Sequence, residues 1–552
     1  MLRTCESKLL NLRIDTGRNN IIIVLARPSI LHDWLCNIVV PHVRKKGQRL
    51  VIACFTRSHC DEVYSKLRSK YRIDDVGLVH GLIDPEVKTI ERKKPIIVTT
   101  YHALLTLTRY LPDNVHVVLL DVEHMFMNVK TRILLWSILT RLSLRQATTT
   151  LVSAYFVDVD IFRKLLSYAK IELYNLGDIS TIGEITLVKA EYYTESLSDR
   201  IVEIASHHVG DTILIVCDSV NMLQHFAQEL QRLGQPTYVV YRSSDVAKVI
   251  NRHEAVTILS TSGILKHRFP IDVAVIVIHS DRTWTEHKLL SAIKDVWTTS
   301  RKIYIVYNNR DDACRRLVEK VINLDISDIY FPKKYLDTYI LYVTYPEMKL
   351  EQVVKHVLAL PFLEAEPRDV HRVISEVLCR AKLVELTDSD TIRHTKLGQV
   401  LVEQCFTVDE FLSIFNTFIS TRRTDSGVPD PEKTLILHIE PTLAKYVDEN
   451  EVKKLISTLR ERSLEPHVDP RLLTGLVHMI PEVVLEAYRI AKLLYILMLQ
   501  LKFPKRRKYA EVFHDFENRI YKVLNMLRNH VGKEVDRDLL SSIISPMLKV
   551  VT

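Results

Sequence analysis

IIIVLARPSILHD, Ile21 to Asp33, is the stretch on which the reading of the fold turns. Its first half, Ile21 to Ala26, is a short apolar run of the kind found in a buried strand, and its second half, ARPSILHD, reads as a turn into a helix. A phosphate-binding loop at such a junction has the form G/A-x-x-x-x-G-K-[ST]. Its glycines let backbone amides wrap the phosphates, its lysine reaches the β- and γ-phosphates, and its hydroxyl holds magnesium. Ala26 opens the same spacing, but the glycine position is Leu31, the lysine position His32 and the hydroxyl position Asp33. Leu31 puts a branched side chain where only backbone should approach, and Asp33 turns negative charge toward a polyphosphate. By itself ARPSILHD is an ordinary strand-to-helix turn; its surroundings make it a ruined phosphate loop.

Those surroundings are further apolar runs, each ending in a polar loop. RLVIAC leads into FTRSHCDEVY (Phe55 to Tyr64), PIIVTT into YHAL, HVVLL into DVEH (Asp121 to His124), and TTLVS into AYF. Short apolar runs alternating with helical stretches predict a parallel sheet with crossover helices, whose ligands bind at the carboxyl ends of the strands.

In this order the loops resemble the motifs of superfamily-2 helicases of the superkiller type, and among them the archaeal repair helicases with a winged helix and a ratchet domain. Arg57 falls at the basic residue of motif Ia, Thr99 and Thr100 at the threonines of motif Ib, DVEH at the D-E-x-H box and Ser153-Ala154-Tyr155 at the S-A-T motif. TILIVCDS (Thr212 to Ser219) matches motif IV, LSTSGILKHRFP (Leu259 to Pro270) motif V, and EHKLLSAIKDV (Glu286 to Val296) the E-Y-K-Q-M-A-G-R-A-G-R of motif VI. Each match is weak, but seven in one order are not. The resemblance implies that Arg57, Thr99, Thr100 and Thr261 contact a nucleic-acid backbone.

The departures fall on ATP chemistry. In the D-E-x-H box of the family the aspartate holds magnesium and the glutamate orients the attacking water; here Asp121 and His124 remain and Val122 takes the glutamate position. Glu123 stands one residue late, which at a strand end predicts that it points to the opposite face. The arginines of motif VI, whose counterparts in related hydrolases are worth roughly 10³ to 10⁵ in rate, are Ile293 and Val296, and the motif V glycine is His267. Leu31, Ile293 and Val296 are therefore expected to meet as apolar residues across a closed cleft.

A chain of 552 residues with 47% hydrophobic content suggests three or four domains of roughly 150 residues. It carries 13 glycines, where average usage would give roughly 40. A net charge of +8 is compatible with a solvated surface or with nucleic acid. The eight cysteines, from Cys5 to Cys405, include no C-x-x-C pair, so neither a structural zinc nor an iron–sulfur cluster is expected, and they read as reduced core residues. The amino terminus has no signal-peptide pattern, and the most apolar helix, Val483 to Leu501, is interrupted by Glu486, Arg489 and Lys492, so a cytoplasmic protein without a membrane span is expected.

The expected architecture is α/β followed by all-α. It comprises two tandem RecA-like parallel-sheet domains (1–180 and 181–330), a winged-helix domain (331–406) and a helical ratchet-like domain (407–552). Strands of the second domain are placed at Ile213–Cys217, Val256–Leu259, Val273–Ile278 and Ile303–Tyr307. The winged helix is read from helices at Leu350–Leu360 and Pro367–Ala381 and a wing around Asp388-Ser389-Asp390. Packing of that module against the RecA-like pair, as in the family, is preferred to insertion of Arg368, Arg372 and Arg380 into a major groove. KFPKRRKY, with Lys505, Arg506 and Arg507, is the densest basic run and reads equally as solvated surface or as a phosphate contact.

The function expected is a helicase-like nucleic-acid-binding or scaffold subunit without ATPase activity, with single-stranded DNA or RNA and a protein as partners and no cofactor. The alternatives are an ATP-dependent helicase with divergent motifs, using ATP and magnesium, and a protein-interaction module that binds no nucleic acid.

Overall fold

A computed structural model of the chain describes residues 20–25, 28–80, 85–127, 129–145, 147–153, 170–175, 184–190, 194–217, 219–240, 255–260, 271–279, 284–297, 302–322, 333–358, 365–420, 434, 437–438, 486 and 489–500. Two parallel sheets follow one another along the chain. The first has the order β3–β4–β2–β5–β6–β1–β7, built from β1 (Asn20–Leu25), β2 (Arg49–Cys54), β3 (Val76–Val79), β4 (Ile96–Thr100), β5 (Val115–Leu119), β6 (Thr148–Ser153) and β7 (Lys170–Asn175). The second has the order β10–β11–β9–β12–β13–β8, from β8 (Glu184–Ala190), β9 (Ile213–Val216), β10 (Thr237–Val240), β11 (Thr257–Ser260), β12 (Val273–Ile278) and β13 (Lys302–Asn308).

The central strands β2, β4, β5, β9, β11 and β12 are buried nearly throughout, which is why they appear in the sequence as unbroken apolar runs. The sequence pattern did not reveal β3, β7, β8 or β10, which lie at sheet edges. Strand β10 is half-exposed over most of its length, and β3 contains a glycine. That glycine is a packing requirement: a Cβ on Gly77 would lie 2.3 Å from the carbonyl oxygen of Glu91.

Beyond the second sheet lie helices and a small antiparallel sheet of order β14–β16–β15, formed by Glu347–Lys349, Thr391–His394 and Val384–Leu386. The hairpin β15–β16 encloses Asp388-Ser389-Asp390, and helical backbone covers Leu350–Leu358 and Pro367–Cys379. This module packs on the first sheet domain. The helix Val129–Leu144 is buried on every side from Thr131 to Leu142, held between Tyr101–Leu107 and Leu336–Thr344. Thr140 Oγ1 and Tyr339 Oη are 2.9 Å apart, Arg141 donates to the Tyr342 carbonyl at 3.3 Å, and Lys130 pairs with Glu410 at 2.8 Å.

Near the carboxyl terminus a helical segment covers residues 489–500. Its buried face carries Ile490, Leu493, Leu494 and Leu497, and Arg489 donates to the carbonyls of Gln404 and Cys405. Most of the expected ratchet-like region lies outside the described residues, as do Lys505, Arg506, Arg507, Thr261, His267, Ala154 and Tyr155. Among the described residues no helix is long and apolar enough to cross a membrane.

Candidate functional site

The carboxyl ends of β2, β5 and β6 meet one helix of the second sheet domain. We label the elements involved α1 (Pro28–Trp34), α2 (Arg57–Lys70), α3 (Val122–Met125) and α4 (Glu286–Trp297). At the end of β2, Thr56 caps α2 by accepting the His59 N–H, and this first turn carries His59 toward the end of β5.

At the end of β5 the chain turns sharply. Asp121 adopts a left-handed conformation, φ 59° and ψ 38°, which its short polar side chain tolerates better than a branched one would. The next four residues form the single helical turn α3. The sequence reading turned Glu123 to the face opposite the glutamate position; the structure has it in the cleft beside Asp121, with Val122 in the hydrophobic core, the same side that a two-residue strand period gives to positions 121 and 123.

Lys294, from the last turn of α4, reaches both carboxylates. Its Nζ lies 2.7 Å from Asp121 Oδ1 and 2.5 Å from Glu123 Oε1. The remaining oxygens are also engaged: His59 Nδ1 lies 2.6 Å from Asp121 Oδ2, and Ser153 Oγ, at the end of β6, donates to Glu123 Oε2 at 2.9 Å. An ammonium and an imidazole thus face two carboxylates in a buried network that joins the two sheets.

The electrostatics follow from this pairing. Burial alone would raise the Asp121 pKa, but the charges of His59 and Lys294 hold it well below the usual carboxylate range. Burial would lower Lys294, yet the two carboxylates keep its ammonium above the ordinary lysine value. For His59 as well, burial is outweighed by Asp121 and the imidazole pKa is raised. Beside the network Phe55 stacks on His124, 4.7 Å between ring centroids and 10° between planes, and His287 of α4 lies 4.7 Å from Phe55 on the other sheet's side. Burial pushes His287 down to about 4, and burial with the Lys294 charge pushes His124 well below its usual value, so both rings are neutral at pH 7.

The other sequence-predicted residues are placed as follows. Leu31 and His32 lie on α1, where Leu31 joins the core on one face of the first sheet and the His32 ring meets His59 edge-on at 5.9 Å, while Asp33 is exposed. Ile293 and Val296 are buried in the larger core with β12 and β13. They lie beside Lys294 in sequence and do not meet Leu31, which corrects the expected contact among these three residues; they belong instead to an apolar core that includes residues of both sheet domains, and charge and ring stacking add a second connection at the cleft. Arg57 opens α2, and Thr100 caps the helix Tyr101–Leu107 by accepting the Ala103 N–H. Thr99 is fully buried and its hydroxyl donates to the Val79 carbonyl at 2.7 Å, so that side chain is turned away from any backbone ligand.

The donor set does not suit a magnesium–nucleotide. A hard divalent ion would need the carboxylate oxygens that an ammonium, an imidazole and a hydroxyl already engage. The helix that would cradle phosphates presents no glycine or lysine at Leu31 and His32. His59 and Lys294 were missed in the sequence. The only available signal was a lysine between two core residues of an otherwise amphipathic helix, and its partner lies 173 positions away.

No family model and no curated protein sequence matches this chain. Among solved structures the fold is similar to the DUF1998 helicase MrfA bound to DNA, at 11% identity over 74% of this chain and 58% of that one, with a TM-score of 0.48. It is also similar to the Mycobacterium smegmatis helicase Lhr bound to single-stranded DNA and AMP-PNP, at 14% identity over 73% of this chain and 59% of that one, TM-score 0.49. A DEAD box protein from the hyperthermophile Methanococcus jannaschii is similar at 14% identity over 57% of this chain and 89% of its own, TM-score 0.41. The chain spans less than two thirds of the length of MrfA and of Lhr. These are distant likenesses of fold, each with a TM-score below 0.5.

Proposed function

We propose that this chain is a helicase-type protein that does not hydrolyse ATP and serves in the cytoplasm as a nucleic-acid-binding or scaffold subunit, holding single-stranded nucleic acid across its two RecA-like domains beside a protein partner. The observation that carries the reading is Lys294: its ammonium occupies the space between Asp121 and Glu123, where hydrolysis would need a metal and a water. Leu31, His32, Ile293 and Val296 support it, because each stands where the chemistry needs a different group acting on the same transition state.

The nucleic-acid part rests on Arg57 and Thr100 at helix starts on the carboxyl edge of the first sheet, with Thr261 as their counterpart in the second half by sequence. The helices and small antiparallel sheet from Lys333 to Glu403 are read as a winged helix that braces the first domain, and the helices beyond as a ratchet-like bundle. The domain limits remain those read from the sequence.

Purified protein is expected to show no ATP turnover above background, with or without single-stranded DNA or RNA. It is expected to bind both with an affinity that falls as salt rises and depends little on sequence. Turnover that disappears on Asp121→Ala would overturn the first part and favour a divergent ATP-dependent helicase. Affinity unchanged by Arg57→Ala combined with Thr261→Val, at fixed salt, would overturn the second and favour a protein-interaction module.

A further inference from the structure

We infer that Lys294 is a built-in replacement for a divalent cation: the ammonium cross-links the two sheet domains through Asp121 and Glu123, and removing it uncovers a metal site that the native chain does not offer. This rests on the proposed function above and deepens it, because it states what became of the site rather than only that the site is silent.

The argument is one of charge and geometry. Two carboxylates that leave the first sheet within three residues of each other would repel in a buried setting unless a cation lies between them. A divalent ion would meet that need from solution, and its occupancy would depend on ion and nucleotide concentration. Lys294 meets it from within the chain, at 2.7 and 2.5 Å, on a helix anchored by buried Leu289, Leu290, Ile293 and Val296. The ammonium is therefore present at a fixed stoichiometry of one and cannot diffuse away. With His59 on the far oxygen of Asp121 and the ammonium on the near one, both carboxylates are already partnered, and a further divalent ion would add uncompensated buried charge beside the ammonium. Because Lys294 belongs to the second sheet domain and both carboxylates to the first, the replacement also makes closure a property of the folded chain, independent of nucleotide.

Truncating the lysine should leave Asp121, Glu123 and the Ser153 hydroxyl around a vacated space of ammonium size, an oxygen-rich set suited to Mg²⁺ or Mn²⁺. The test uses full-length wild type, Lys294→Ala and Lys294→Ala/Asp121→Asn, with Mn²⁺ as the probe. Binding is followed by electron paramagnetic resonance, and thermal unfolding is recorded with and without Mn²⁺ or Mg²⁺.

Lys294→Ala is expected to bind Mn²⁺ at least ten times more tightly than wild type, and the double variant to lose that gain. The midpoint of Lys294→Ala should fall by about 10 °C without metal and recover by several degrees when metal is added. No gain in Mn²⁺ affinity, or no recovery of the midpoint, overturns the inference. So does a Lys294→Ala chain that fails to fold with and without metal alike, since a divalent ion would then be unable to replace the ammonium. The underlying functional reading fails separately, through ATP turnover by the wild-type protein, and stands if only the metal experiment is negative.

Discussion

The first sheet domain is held by two contacts of opposite character. Toward the helices Leu336–Thr344 and Val408–Ser420 the contact is mainly apolar and aromatic, with the buried Tyr339, Ile340 and Tyr342 laid along the helix Val129–Leu144 and a few hydrogen bonds fixing the register. Toward the second sheet domain the closest contact is charged: Lys294 between Asp121 and Glu123, flanked by the stack of His124, Phe55 and His287. Apolar burial is non-directional, stabilises by about 25 cal/mol per Å² and is nearly indifferent to pH and salt. A buried ion pair costs much of what it gains, depends on geometry and exists only while both partners are charged. The first contact therefore acts as a permanent seam. The second sets one particular arrangement of the two sheets and is conditional on its charges.

The largest effect should come from the seam. Tyr339→Ala removes a fully buried ring and the partner of the Thr140 hydroxyl, and should cost about 3–5 kcal/mol in urea unfolding, with little dependence on pH or salt. A loss below about 1 kcal/mol would show that the helices Val129–Leu144 and Leu336–Thr344 are not held together as described.

A smaller effect, of about 1 kcal/mol, is expected from His59 and should depend on pH. Its folded pKa is raised, so its contribution is fully present below the unfolded value of about 6.5 and is lost as pH rises through the folded one. The wild-type unfolding midpoint should therefore decline between pH 6 and pH 9 more steeply than that of His59→Gln. Parallel profiles would remove His59 from the network.

The smallest effect belongs to Lys130, whose pair with Glu410 is partly exposed and lies at the rim of the seam. Lys130→Ala should cost less than about 1 kcal/mol, and the difference should shrink further in high salt. A larger, salt-independent loss would mean that the seam too depends on charge.

Local pattern made much of the fold legible. Strands buried on both faces, such as VIAC, IIV, VVL, LIV and VAVIVI, must be apolar throughout, and that pattern survives in any single sequence. The helical stretches Leu350–Leu358 and Pro367–Cys379 and the turn at Asp388-Ser389-Asp390 were equally visible, because caps, helical period and turn residues are read within a few positions. The same locality explains the misses. Edge strands are short or half-exposed, and Thr99 carries the same letter whether its hydroxyl faces a ligand or the Val79 carbonyl.

The sequence by itself determined that Leu31, His32, Asp33, Val122, Ile293 and Val296 stand at the positions where the chain resembles a nucleotide site, since a residue type is a fact of the chain. Only the tertiary structure decided what stands there instead. Asp121 and Glu123 face one cleft at the end of β5, and a lysine 173 positions after Asp121 is carried there by a helix of the other sheet domain. Electrostatic pairing acts through space between groups that share a buried volume, and which groups share it is set by the packing of the two sheets, not by any spacing along the chain.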